Sequence, residues 1–147
     1  MRIMPPLIGP VTKMQLDSEY TYFGIPTEYE KEIEQRVTIT AAGRVYVSRY
    51  YSSSQDHLVL KEKKSFSIPK EDAVRIMEAT EEAFANPKLL QSVDDSAFGI
   101  ILTNMDGEKY HYFGSMDQVL TTSHGELSNL IRETLHMPHL WIFRPAK

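Results

Sequence analysis

Five histidines, eight tyrosines and a run of alternating glutamates are the side chains from which this chain could build a site. His136 and His139 stand three apart, a spacing that lets two imidazoles share a metal on a continuous helix. Pro138 between them interrupts such a helix, and no third ligand is fixed by spacing, so no metal centre is expected. A histidine near a helix C-terminus is favoured by the helix dipole without any metal. His111 falls in mid-strand beside Tyr110 and Tyr112, on the side shared with Lys109 and Phe113, where it could serve as a general base. Ser123 and His124 are adjacent, which is the wrong relation for a nucleophile and its base.

The chain lacks the phosphate-cradling patterns G-x-x-x-x-G-K-[ST] and G-x-G-x-x-G and the serine elbow G-x-S-x-G. Asn104-Met-Asp106-Gly107 has part of a calcium loop, but no glutamate follows the glycine at the required interval. With no cysteine there is no disulfide, thiolate ligand or cysteine nucleophile. No cofactor is expected.

Glu28, Glu30, Glu32 and Glu34 alternate with Tyr29, Lys31, Ile33 and Gln35. Period two puts the glutamates on one side of a strand, where they would form a solvated edge that resists pairing with another sheet. The tyrosines are more suggestive of function. On a strand Tyr46, Ser48 and Tyr50 share one face while Val45 and Val47 share the other. Were helices to cover only the valine side, Tyr46, Ser48, Tyr50, Tyr110 and Tyr112 would decorate an open sheet. Tyrosine supplies large contact area at small entropic cost, which suits a binding surface.

The elements that position these side chains follow from periodicity. Val37–Thr40, the turn Ala41-Ala42-Gly43 and Arg44–Ser48 form a hairpin of β-branched strands. Val11 to Gly24 is extended, and His57 to Phe66 alternates as a further strand. Phe98–Asn104, the turn Met105-Asp106-Gly107 and Glu108–Gly114 form a second hairpin around an Asp-Gly pair. Ile68-Pro69 opens a helix over Lys70–Asn86 whose stripe is Ala73, Val74, Met77, Thr80 and Phe84 or Ala83. Ser123-His-Gly-Glu126 matches a capping box, which predicts a second helix over Gly125–His136 with Leu127, Leu130, Ile131 and Leu135 inward. Leu140–Phe143 reads as a last buried strand. The expected core is Val45, Val47, Val74, Met77, Leu102, Leu130, Ile131, Leu135, Trp141 and Phe143.

Together these predict an α+β fold in one domain spanning 1–147: a mainly antiparallel, twisted sheet of five to seven strands with two helices packed on one face. Both halves read as strands then helix, a weak ββα pseudo-repeat. Residues 1–10, with prolines at 5, 6 and 10, form an extended arm that is expected to lie over its own core or to fray, the alternative being docking in a groove on a partner or sister subunit.

Composition narrows the function. With 41% apolar and 24% charged residues the chain is of globular type, and no apolar run reaches the length of a membrane span. The N-terminus makes a poor signal peptide, so a cytoplasmic location is expected. The net charge of -4 and the single basic cluster Lys61-Glu-Lys-Lys64 argue against nucleic acid as a partner. The resulting expectation is a non-catalytic module that binds another protein or its own copy. The alternative is a small-ligand binder or modest hydrolase with His111 or His124 as acid/base.

Overall fold

A computed structural model describes residues 6–20, 31–52, 58–85 and 96–144 of the chain. Ten elements appear in the order β1 (Val11–Tyr20), β2 (Lys31–Thr40), β3 (Arg44–Ser52), β4 (Leu58–Ser67), α1 (Lys70–Phe84), β5 (Ser96–Asn104), β6 (Lys109–Ser115), β7 (Thr121–Thr122), β8 (Gly125–Glu126) and α2 (Leu127–Leu135). Six strands form an antiparallel sheet in the order β4-β3-β2-β1-β5-β6, and β7 pairs with β8 in a small second hairpin. The class is α+β, as the patterning predicts. Four strands precede α1 and two long strands precede α2, so the halves are unequal. No helix among the described residues is long and apolar enough to cross a membrane.

The sheet has one apolar face because alternation along each strand is nearly complete. Met14 and Leu16 of β1, Val37 and Ile39 of β2, Val45 and Val47 of β3, and Phe98, Ile100 and Leu102 of β5 are all buried in one cluster. Both helices pack on that face, α1 lying against β1 and α2. Bulges adjust the alternation where it would fail. An extra residue at Thr12 lets Val11 and Met14, three apart, both point inward.

Both hairpin turns use glycine for a left-handed backbone, φ +99° at Gly43 and +83° at Gly107. Asn104 secures the second turn. Its Oδ1 accepts from the backbone N–H groups of Asp106 and Glu108 at 3.0 and 2.9 Å. Its Nδ2 donates to the Ile8 carbonyl at 2.9 Å, which ties the N-terminal segment to the β5–β6 end. Leu7 of that segment is buried and its N–H donates to the Phe84 carbonyl at the end of α1.

The helices differ from expectation in detail. The buried stripe of α1 is Ala73, Ile76, Met77, Thr80 and Phe84, spaced i, i+3, i+4, i+7 and i+11. Val74 lies about 100° further round and stays 36% exposed, so it is not core. Helix α2 begins two residues later than the capping-box reading. Gly125 has φ +108°, incompatible with a helix, and Glu126 is itself the N-cap, its carboxylate accepting from Ser128 N–H at 2.7 Å. Ser123 turns away to α1, where its N–H and hydroxyl both donate to the Glu82 carboxylate at 2.8 and 2.7 Å. His136 ends α2 in the left-handed region with φ 56°, a position usually taken by glycine or asparagine.

Residues 140–143 are buried as expected at Leu140, Ile142 and Phe143, but they form no strand. Side chains take the place of a neighbouring strand in satisfying their backbone. Ser18 Oγ donates to the Trp141 carbonyl at 2.9 Å, and Trp141 N–H donates to Gln35 Oε1 at 2.8 Å. Arg132 Nε donates to the Leu140 carbonyl at 2.7 Å, and Ser128 Oγ donates to the Ile142 carbonyl. Ser18, Gln35 and Ser128 are buried polar residues for this reason. Leu130 and Trp141 pack on the core while remaining partly exposed.

Candidate functional site

Among the described residues the other face of the six-stranded sheet carries no helix, and strand register arranges its side chains in four rows. The first row crosses Arg44 on β3, Lys13 on β1 and Lys109 on β6. The second crosses Tyr46, Thr38, Gln15, Ile101 and His111. The third crosses Lys63, Ser48, Arg36, Asp17, Gly99 and Phe113. The fourth crosses Leu60, Tyr50, Glu34, Glu19 and Ala97. The first row is therefore basic, and the fourth carries the carboxylates Glu34 and Glu19, with Lys63 and Arg36 of the third row beside them. Tyr46, Leu60 and Phe113 are 45%, 49% and 43% exposed, large apolar side chains left in water on this one surface.

Of the residues singled out in sequence, Tyr46, Ser48 and Tyr50 do share this face. Tyr110 and Tyr112 do not. Tyr112 is 1% exposed and stacks on Phe84 of α1 with ring centroids 4.9 Å apart, and Tyr110 packs on the same core. Burial pushes the Tyr112 phenol up to about 12. The β6 residues that do reach the open face are Lys109, His111 and Phe113. Alternation alone leaves this choice open, because Tyr110-His-Tyr-Phe113 carries an aromatic on both sides. His124 is exposed beside Val74 and Glu78 of α1, on the opposite side of the molecule from His111.

The glutamate run does not form a solvated edge. β2 is an interior strand, and a bulge at Ile33 throws Glu32 and Glu34 to opposite faces. Glu32 turns to the helix side, where Arg49 Nη2 donates to it at 2.8 Å and Gln35 Nε2 at 3.1 Å. That pairing holds the Arg49 guanidinium above its usual range. Glu34 is buried on the open face. Glu28 and Glu30 lie outside the described residues.

Glu34 belongs to a constellation that no sequence spacing announces. Arg36 Nε donates to Glu34 Oε2 at 2.7 Å and lies 3.8 Å from Asp17 Oδ2, while its guanidinium covers the Tyr50 ring at 4.6 Å. Carboxylate oxygens of Asp17, Glu19 and Glu34 lie within 4.8 Å of one another. Asp17 Oδ1 is buried without a donor aimed at it. Burial, then a hydrogen bond to Glu34 and repulsion from Glu34 and Glu19, push the Asp17 carboxyl up to about 7, against the weaker pull of Arg36. At neutral pH the Asp17 carboxyl accordingly holds a proton for part of the time.

Beside this constellation lies a shallow cleft of about 410 Å³, lined by Gln15, Asp17, Arg36, Ile101, His111 and Phe113. Its floor is Gly99, where a Cβ would meet nothing within 4 Å. The missing side chain makes the hollow, with Ile101 and Phe113 rising beside it. Serine and cysteine nucleophiles are absent from its lining, and the arrangement can seat an apolar side chain against polar walls. No protein-family model matches the chain, and no curated protein is similar to it in sequence.

Proposed function

We propose that this chain is a non-catalytic interaction module, acting through the helix-free face of its sheet on another protein or on its own copy. The observation that carries the reading is a sheet face free of helices among the described residues, on which Tyr46, Leu60 and Phe113 are all exposed and Phe113 forms a wall of the hollow at Gly99. Large apolar side chains exposed along one rigid, otherwise polar sheet face suit an interface. The single buried cluster shared by both helices and the six-stranded sheet supports one domain over 1–147. The absence of cysteine suits a reducing cytoplasm, and the acidic net charge of -4 favours protein over nucleic acid or an anionic membrane as partner.

The test is affinity capture of the tagged chain from its native extract, beside a Tyr46→Ala/Tyr50→Ala variant and an exposed helix-side control, Val74→Ala. Association lost in the first and kept in the second supports the face. Equal association by both removes it. The cleft favours a second reading, a small-ligand site or modest hydrolase using His111, since His111 stands in its wall near Asp17 and Arg36. Under that reading His111→Ala abolishes an activity or ligand response and leaves association intact.

A further inference from the structure

The proposed interaction face has a charge and shape pattern that fits one partner in particular, a second copy of itself. Its first row carries Arg44, Lys13 and Lys109 and its fourth the carboxylates Glu34 and Glu19. Two such faces can stack about a two-fold axis in the plane between them in two ways. With the axis parallel to the strands, like rows meet, Glu34 falls on Glu19 of the other copy, and repulsion opposes assembly. With the axis perpendicular to the strands, each strand runs antiparallel over its own counterpart and the rows exchange. Lys13 then lies over Glu19 of the other copy, and Arg44 over Tyr50.

Shape agrees with charge in the second arrangement. Ile101 and Gly99 are two apart on β5, in the two middle rows that exchange. Ile101 of each copy therefore faces the hollow at Gly99 of the other, a protrusion meeting a hollow twice over. His111 likewise faces Phe113. Six strands about 4.8 Å apart and four rows about 6.8 Å apart give a face of roughly 800 Å², close to what each partner contributes to a stable interface.

We infer that the chain forms an isologous dimer in which the open sheets stack face to face, strands antiparallel, with Lys13 of each copy on Glu19 of the other and Ile101 seated over Gly99. This rests on the open face being the interaction surface and names its occupant. Stacked sheets cross at about 30°. Lys13 and Glu19 lie on β1, one of the two central strands, so within the outer rows they are displaced least, by about 5 Å, which their long side chains can follow.

The experiment is sedimentation equilibrium over a concentration series at low salt, with charge reversals. Lys13→Glu alone sets glutamate against Glu19, and Glu19→Lys alone sets lysine against Lys13. Each reversal is expected to weaken the homodimer by at least roughly tenfold. Mixing the two variants in equal amounts restores both contacts, so a heterodimer returns, and the double variant Lys13→Glu/Glu19→Lys dimerises by itself. Added salt weakens the wild-type dimer. Gly99→Leu fills the hollow without a clash at its Cβ and abolishes the dimer while leaving the thermal transition in place.

A wild-type chain monomeric throughout the series overturns the second-copy occupant, and the capture experiment with Tyr46→Ala/Tyr50→Ala still decides separately whether the face binds anything. A dimer indifferent to both reversals, or single variants that fail to pair when mixed, overturns it too.

Discussion

Replacing Asp17 by asparagine should make this protein more stable in mild alkali and leave it nearly unchanged in mild acid. Asp17 Oδ1 is buried with no donor to satisfy it, and Glu34 and Glu19 crowd the same spot. The folded carboxyl titrates at about 7, against about 3.8 for an ordinary aspartate. Between those values the folded chain holds a proton that the unfolded chain has released, so acid favours folding. The stability contributed by this group is intact below about pH 4, falls as pH rises through about 7, and is gone above it. A displacement of that size would correspond to about 4 kcal/mol in a dry interior, and the half-exposed side chain reduces it to roughly 1–2 kcal/mol.

Asparagine carries no charge at any pH, and its amide can donate to Glu34 as the protonated carboxyl does. Urea unfolding of both proteins should agree within about 0.5 kcal/mol at pH 5 and favour Asp17→Asn by roughly 1–2 kcal/mol at pH 8. A difference independent of pH, or a variant less stable at pH 8, would refute the reasoning, since either outcome means that Asp17 is ionised throughout.

The interior makes further predictions. Phe84 stacks on Tyr112 at 4.9 Å and contacts the Phe143 ring at 6.0 Å, so Phe84→Ala should cost about 3–5 kcal/mol by urea titration, whereas Tyr46→Ala on the open face should cost under about 1 kcal/mol. The two turn glycines should differ in the same assay. A Cβ at Gly43 would stand 2.4 Å from the Ile68 carbonyl oxygen, while one at Gly107 meets nothing within 4 Å. Gly107→Ala carries only the left-handed penalty of about 1 kcal/mol, and Gly43→Ala must add a backbone displacement to it and lower the thermal midpoint further.

The sheet and both helices were legible in the sequence because each rests on local chemistry. The Asp-Gly pair and Gly43 fix turns that only a left-handed residue closes, and the α1 stripe is written in its spacing except that the pattern admits Val74 where Ile76 is buried. What escaped depends on partners distant in the chain. An inserted residue such as Ile33 leaves the written alternation of glutamates intact while reversing which face each one takes. Leu140–Phe143 has a strand's composition, yet Ser18, Gln35 and Ser128, none of them near it in sequence, decide its backbone. On the candidate face Tyr46 and Tyr50 could be placed because valines mark the opposite side. Tyr110 and Tyr112 could not, because β6 offers the core an aromatic on either side. The Asp17, Glu34 and Arg36 constellation is created by the pairing of β1 with β2 and has no signature in either strand alone.

The placement of β1 has a consequence for how the protein is made. This strand ends interior to the sheet, flanked by β2 and β5, and Val11 pairs with Asn104. On the ribosome the meander β1 to β4 can close soon after Ser67 emerges, but β1 then stands as a bare outer strand until the β5–β6 hairpin arrives. At ordinary translation speed the wait for the second pairing partner is roughly 2–7 seconds. Throughout it Met14 and Leu16 lack part of their cover and a row of amides is open to any passing strand. A nascent chain that stalls before Phe98 keeps that exposed row permanently, which marks arrested fragments of this protein as natural clients for a holding chaperone.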